Sequence, residues 1–503
     1  MSDLFGLGLR NRRAVPFTAV PVEPLDHFRD SLVEVQGRGA RLLTVFGLPH
    51  DAERVRLIAI VADDAVGRLG ATSTVVGRRY PALTPHCPQA ARFEREIWEQ
   101  CAVVPDGHPA LKPVRRHQPD HAPAGWAGTL TASRPYGFDR IEGDEVHEVA
   151  VGPVHAGIIE PGHFRFQAHG EQVLSLEIML GYQHRGVERL LETRDRARAV
   201  LVAESIAGDT VVGHADAHCG ALEALARCRK TPRAQAIRGI ALELERVANH
   251  LGDLGAIAGD VAFQPGAAYF GRLRGECLNL LMTLSGNRYG RGLVRPGGVL
   301  FDLTPPMIDE MRGRVARLTE AATAVAGVVF ADASVQARLE GVGTVARSRV
   351  EQDGFVGLVA RACEIPRDVR HDHSWGVFRF VHIPVSTAWA GDVFARAYVR
   401  WLETQRSLEF LSEQLASLPK GAPMVPAAGL GADELCVALV EGWRGEIVHV
   451  VITDGQGLVR RHKVTDPSFR NWPALAAAMP GNDISDFPLC NKSFNLSYAG
   501  HDL

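Results

Sequence analysis

Hydrophobic and polar positions alternate with a period of two in the first part of the chain. RLLTVFGLPH (41–50) and VRLIAIVAD (55–63) read as strands. Ala90–Gln100 then sets Phe93, Ile97 and Trp98 on one side at helical spacing. A proline-rich run through Pro105, Pro109, Pro113, Pro119 and Pro123 predicts an extended connection, read as a boundary or docking strap. Short alternating runs at His147–Val151, His163–Ala168 and Val173–Leu180 predict a small antiparallel sheet with Gly/Pro turns. From Val187 to about Ala331 the pattern becomes mainly helical. In the stretch Arg198–Arg227, read as one buried helix, Val202, Ile206, Val212, Ala215, Leu222 and Leu225 recur at mixed three- and four-residue steps. The next helix carries Leu244, Val247, Leu251, Leu254 and Ala258 down one face. Glu243, Arg246, His250 and Asp253 keep the same rhythm on another. If exposed, that stripe is a solvated face; if buried, every charge in it needs a partner. Leu303–Thr323 and Gly391–Ser417 read as further amphipathic helices. GWRGEIVHVVITDGQGLVRRHKV reads as a hairpin about Asp454-Gly455, and the tail DFPLCNKSFNLSYAGHDL as polar and strandless.

Composition narrows the function classes. The 503 residues are 46% hydrophobic and 22% charged, enough to bury a sizeable core. Lys and Arg number 55 against 58 Asp and Glu, so nucleic acid is not an expected partner. No apolar run is long enough to span a membrane. The eight cysteines form no C-x-x-C pair, which argues for reduced, buried thiols and against a cysteine-held zinc or iron–sulfur site. Phosphate-binding glycine loops and a serine nucleophile elbow are also missing. The candidate chemistry is therefore in two places. One is the helix-like stretch with Glu204, Asp209, Thr210 and His214 in an apolar background, where unpaired polar groups are costly. The other is a strand-flanked loop with His155, Glu160 and His163, which is either a site or an ordinary exposed loop.

Longer motifs carry a resemblance. Gly152-Pro153-Val154-His155-Ala156-Gly157 with Glu160-Pro161-Gly162-His163-Phe164 resembles the opening of the large subunits of group 4 membrane-bound nickel–iron hydrogenases, homologues of the 49 kDa subunit of respiratory complex I. Tyr182-Gln183-His184-Arg185-Gly186 with Glu188, the GIALELERVANHLGDLG helix, GNRYGRGLVRPGG, GWRGE and DPSFRNWP continue it in order. Phe93-Glu94-Arg95-Glu96-Ile97 and Gly107-His108-Pro109 are similar to the complex I 30 kDa subunit. The resemblance spans about residues 24–503, in the fused order of hydrogenase-4 and formate hydrogenlyase large subunits. It implies an α+β fold: an N-terminal tail (1–23), a 30 kDa-like α/β domain (24–125), a linker (126–145), and a 49 kDa-like domain (146–503) that is a mainly helical bundle with small antiparallel sheets.

In that family two C-x-x-C pairs hold nickel and iron. The corresponding segments here are Glu204–His214, with Ala207 and Thr210 at the cysteine positions, and Asn495–His501, with Ser497 and Gly500. Cys219 and Cys490 are out of register with both. Soft thiolates suit this metal pair and hydroxyls do not replace them easily. The resemblance therefore implies a subunit with no nickel–iron centre, no bound cofactor and no hydrogen turnover. Complex I has also lost these cysteines and binds quinone in the corresponding cavity through a Tyr and a His. The Tyr position falls at about Gly208, and the His corresponds to His163, with His155 and Glu160 as rivals.

What the resemblance implies is a large peripheral-arm subunit of a membrane-bound, complex I-like oxidoreductase at the cytoplasmic side of the bacterial inner membrane. Its partners would be an iron–sulfur small subunit carrying a four-iron–four-sulfur cluster, a ferredoxin-like subunit and membrane antiporter-like or channel subunits. In one reading a cavity passes electrons to or from a quinone or other acceptor, coupled to proton or ion translocation. Protons would then move through His155, Glu160, His163, Glu204, Asp209 and His214. In the alternative, the chain is a structural and coupling subunit, with Asp209 and Thr210 bonded to neighbours. A pocket closed by Tyr498 or His501 favours the second.

Overall fold

The computed structural model describes residues 7–126, 136–155, 159–193 and 195–503. Residues 127–135 of the expected linker, and Ala156-Gly157 of the loop motif, lie outside the described residues.

The fold is α+β. Near the N-terminus an antiparallel sheet joins strands Arg41–Pro49, Val55–Asp63 and Arg68–Val76 in that order. One face packs on the helices Leu25–Gly37 and Ala91–Cys101 through Phe28, Leu32, Phe93 and Ile97. The opposite face, with Phe46, Ile58 and Ile60, joins the main core of the molecule. Both faces are covered, so the third strand, RLGATSTVV, buries its Thr and Ser residues and shows no alternation. The proline-rich run lies against this unit. Backbone N–H groups of Val114, Arg115 and Arg116 all donate to the Glu99 carboxylate. Residues 7–23 also pack into the fold: Val15–Pro16 pairs with the strand Glu434–Gly442, and Arg12 lies over the Trp375 ring.

A second antiparallel sheet holds Val146–Val151, His163–His169 and Gln172–Met179. Four long helices follow: Pro232–Asp260, Gln264–Ser285, Pro305–Ala331 and Val393–Ala416. The charged stripe on the first of these is buried and paired. Glu243 binds Arg246 and Arg370 (both 3.0 Å), His250 binds Glu403 (2.8 Å), and Asp253 binds Arg400 (2.8 Å). The predicted hairpin is present as Gly445–Thr453 and Val459–Thr465, with Glu434–Gly442 added as a third strand.

Two expectations are corrected. Arg198–Arg227 is not one helix: Arg196–Ala203 and Val211–Leu225 are separated by a break at residues 204–210. The second helix starts afresh because the Glu245 carboxyl group accepts the Val212 and Gly213 N–H groups (2.7 and 3.1 Å), supplying partners that the helix start lacks. The tail is not merely a polar end. It forms the buried helices Phe487–Phe494 and Tyr498–Asp502, and Leu503 is buried.

Candidate functional site

The break at residues 204–210 and the segment 495–501 lie side by side, held by two arginines. On one side Arg185 donates to the carbonyls of Ser205 and Ile206 (2.6 and 2.9 Å) and to that of Ala499 (3.0 Å). On the other, the Arg444 fork donates to both Asp209 oxygens (2.6 and 2.8 Å) and to the Thr210 hydroxyl (3.2 Å), while its Nε donates to the Asn495 carbonyl. Such a bidentate pair fixes direction as well as distance. Burial lowers the Arg444 pKa, but Asp209 more than offsets it, and the group stays raised and charged. Trp443, whose ring carries the Arg444 guanidinium at 3.9 Å, adds an N–H bond to the Asp209 carbonyl (3.1 Å). The four positions of interest therefore share one small region. Ala207 and Thr210 come from the first segment, Ser497 and Gly500 from the second.

None of the four offers a free donor. Ala207 and Gly500 have no side-chain ligand atom. The Thr210 hydroxyl is engaged by Arg444, and the Ser497 hydroxyl caps the last helix by accepting the Gly500 N–H (2.8 Å). At Gly500 the space itself is taken: a Cβ there would lie 2.7 Å from Asp466 Cγ and 2.8 Å from each carboxylate oxygen. Asp466 is held in place. It starts the helix Pro467–Ala478 by accepting the Ser468 N–H (2.7 Å), and it accepts from His214 Nε2 (2.9 Å). Burial raises the Asp466 carboxyl, but the His214 bond and charge pull it below the usual range. This donor set does not fit a nickel–iron centre, which needs soft thiolates.

The predicted site residues separate into two groups. Asp209 borders the region directly, His214 reaches it through Asp466, and Glu160 accepts the Tyr498 and Ala499 N–H groups (3.2 and 3.4 Å). Glu204 instead faces Gly292 and Arg295 (2.9 and 2.6 Å). His155 and His163 bond within their own loop, to the Gly162 and Gly152 carbonyls (2.9 and 3.3 Å). The structure thus does not assemble all six into one relay. Tyr498 is buried with its ring 4.8 Å from Trp472, and His501 is buried against Phe469 (5.5 Å) with Nδ1 2.7 Å from Asp502. Sequence reasoning missed Arg185, Arg444 and Asp466 as site residues, although each lies in a quoted motif (YQHRG, GWRGE, DPSFRNWP). Their signal was present; their direction was not, because it depends on which segment folds opposite.

The charged stripe reaches this region. Asp253 accepts from the Asn495 side chain (2.6 Å), and the Asn495 carbonyl accepts from Arg444, so a continuous polar path links Asp209 to Arg400.

Comparison with known proteins finds relatives along much of the chain. The family described as "Respiratory-chain NADH dehydrogenase, 49 Kd subunit" matches residues 260–432 and 428–502. Hydrogenase-4 component G of Escherichia coli is 30% identical over 447 residues, covering 84% of this chain and 76% of that protein. Formate hydrogenlyase subunit 5 of the same organism is 28% identical over 438 residues, covering 84% and 77%. A chain of the membrane-bound sulfane sulfur reductase, an archaeal respiratory membrane complex, superposes with a TM-score of 0.67 at 23% identity, covering 71% of this chain and 99% of that one.

Proposed function

The chain belongs to the group 4 hydrogenase large-subunit family, that of hydrogenase-4 component G and formate hydrogenlyase subunit 5, and from that membership we propose that it is a metal-free coupling subunit in a membrane-bound respiratory complex. The observation that carries the proposal is Gly500. One of the four cysteine positions has lost its sulfur and has also been closed to any side chain by an anchored Asp466. The Asp209–Arg444 pair and the Arg185 bridge occupy the polar contacts around the other three. Coupling between distant sites travels through contiguous packed and hydrogen-bonded networks. The path from Asp209 through Arg444, Asn495 and Asp253 to Arg400 is the network to which we assign it here.

Membership of the family supports a place among partner subunits of a membrane complex. Among the described residues no single helix is long and apolar enough to cross a membrane. We place the chain peripherally, at the cytoplasmic face of the inner membrane. An iron–sulfur small subunit with a four-iron–four-sulfur cluster would cover the face where Val154, Ile159 and Tyr182 are exposed (77, 45 and 41%) around the C-terminal segment. A ferredoxin-like subunit and antiporter-like membrane subunits would complete the complex.

A second reading, electron transfer to a quinone or other acceptor, is favoured by one feature. A cavity of about 570 Å³ lies beside Trp472, lined by Phe93, Tyr136, Leu176 and Leu180 with Arg92 at its edge. Its size and mixed lining suit a small aromatic ligand. The two readings separate in the purified complex. The coupling reading expects no hydrogen evolution and quinone or ferredoxin turnover unaffected by Phe93→Trp. Turnover abolished by Phe93→Trp while His163→Ala is silent supports the acceptor cavity; hydrogen evolution by the wild type overturns both.

A further inference from the structure

We propose that His218, His449 and His462 form a binding site for one divalent first-row transition-metal ion of the zinc type. His218 comes from the helix Val211–Leu225, His449 and His462 from neighbouring strands of the C-terminal sheet. One nitrogen from each lies within 4.8 Å of the other two, and all three side chains are buried. Zinc–nitrogen bonds of about 2.0–2.1 Å put tetrahedral ligands ~3.4 Å apart, so the rings need to converge by ~1.4 Å or less.

The hydrogen bonding points to a missing ligand. His218 leaves both ring nitrogens without a partner, and His462 leaves Nδ1 without one. Buried polar atoms are nearly always satisfied, and a native exception calls for a bound species. His218 stacks parallel to His462 (centroids 5.2 Å, 8°), and His449 Nδ1 is 3.0 Å from His462 Nε2.

An outer shell is also in place. His449 Nε2 is 3.2 Å from His214 Nδ1, and His214 Nε2 is bonded to Asp466 (2.9 Å). A carboxylate that orients a ligating imidazole is the usual second-shell arrangement, here extended by one ring. An all-imidazole donor set selects zinc, cobalt, nickel or copper over magnesium and calcium, which prefer oxygen. The ion would brace the helix Val211–Leu225 against the sheet and, through His214, steady the Asp466 that closes Gly500. It is a structural role with no reaction attached.

The test uses the full-length chain in its complex, purified, loaded with zinc, dialysed and counted by elemental analysis, with X-ray absorption at the metal edge. The expected result is one ion per chain with a nitrogen shell and no sulfur. Zinc content should fall ~10-fold or more in His218→Asn and His462→Asn and stay unchanged in His147→Asn, an exposed control. A second measurement covers variants that fail to fold: cobalt(II) added to the metal-stripped wild type should give visible absorption that zinc displaces. The proposal is overturned if the wild type holds no ion and gives no cobalt spectrum, if sulfur appears in the shell, or if the histidine variants keep their zinc.

Discussion

Gly500→Ala isolates the closure of the position that the resemblance matches to a metal-ligand cysteine. Gly500 sits in the helix Tyr498–Asp502, where alanine would ordinarily gain about 1 kcal/mol over glycine. Here the new methyl would meet Asp466 Cγ at 2.7 Å. The carboxylate cannot turn away freely, because His214 (2.9 Å) and the Ser468 N–H (2.7 Å) hold it. Either the methyl is accommodated with overpacking, at about 1–3 kcal/mol, or Asp466 moves and gives up charge-assisted bonds of about 1.5–3 kcal/mol each. After the helix gain is subtracted, the overpacked route leaves a net loss of up to about 2 kcal/mol, and the route that frees both Asp466 bonds roughly 2–5 kcal/mol. Urea denaturation of the full-length chain measures it, and a cycle with Asp466→Gly isolates the cause. In that background Gly500→Ala should become neutral or stabilising, a coupling of roughly 1–3 kcal/mol, as expected of neighbouring sites. If Gly500→Ala leaves wild-type stability unchanged or raises it, the position is open and the reasoning fails.

Three further outcomes follow. Arg444→Met should cost roughly 2–4 kcal/mol by denaturation, at the lower end of the buried-pair range because the Asp209 side chain is 32% exposed; a loss below about 0.5 kcal/mol would show that the fork does not hold the two segments. Glu245, raised by burial from 4.5 to about 8 despite its two backbone N–H bonds, keeps its proton in the folded state over a range where the unfolded chain has lost it. Its contribution is full below pH ~4.5 and declines as pH rises through about 8, so Glu245→Gln should flatten that decline in a pH series of melts; parallel profiles would contradict it. Asp216 runs the other way: burial raises its pKa, but Arg12 and Arg238 depress it strongly, so its stabilisation is present above the ordinary carboxylate range and lost in acid. Asp216→Asn should therefore be less stable than wild type at neutral pH and converge with it at low pH, and a gap that persists in acid would refute the assignment.

Strands rich in aliphatic and β-branched residues were legible even where both faces are covered, as at Val55–Asp63; a covered strand of small and hydroxyl residues was not. Val146–Val151 lies at the edge of its sheet and alternates as expected, whereas Arg68–Val76 is enclosed between two cores and reads as featureless. The break at 204–210 was hidden because its helix start is capped by Glu245, more than thirty residues later in the chain, rather than by a local residue. In the tail, polar residues serve as internal partners: Asp502 accepts from the Gly181 and Gln183 N–H groups (both 2.8 Å), which composition reads as solvent exposure. For the site, motif order picked out two segments that the structure places side by side. It did not show that Glu204 turns to Arg295, that His155 and His163 serve their own loop, or that His218, His449 and His462 meet. Each of those depends on pairing across seven residues or more, which no local pattern records.

The most direct test of a closed, thiolate-free site is nickel X-ray absorption on the complex purified without oxygen from nickel-supplemented cells. The account predicts no nickel bound through sulfur, whatever metal the histidines retain. One nickel per complex in a sulfur-rich shell would contradict it.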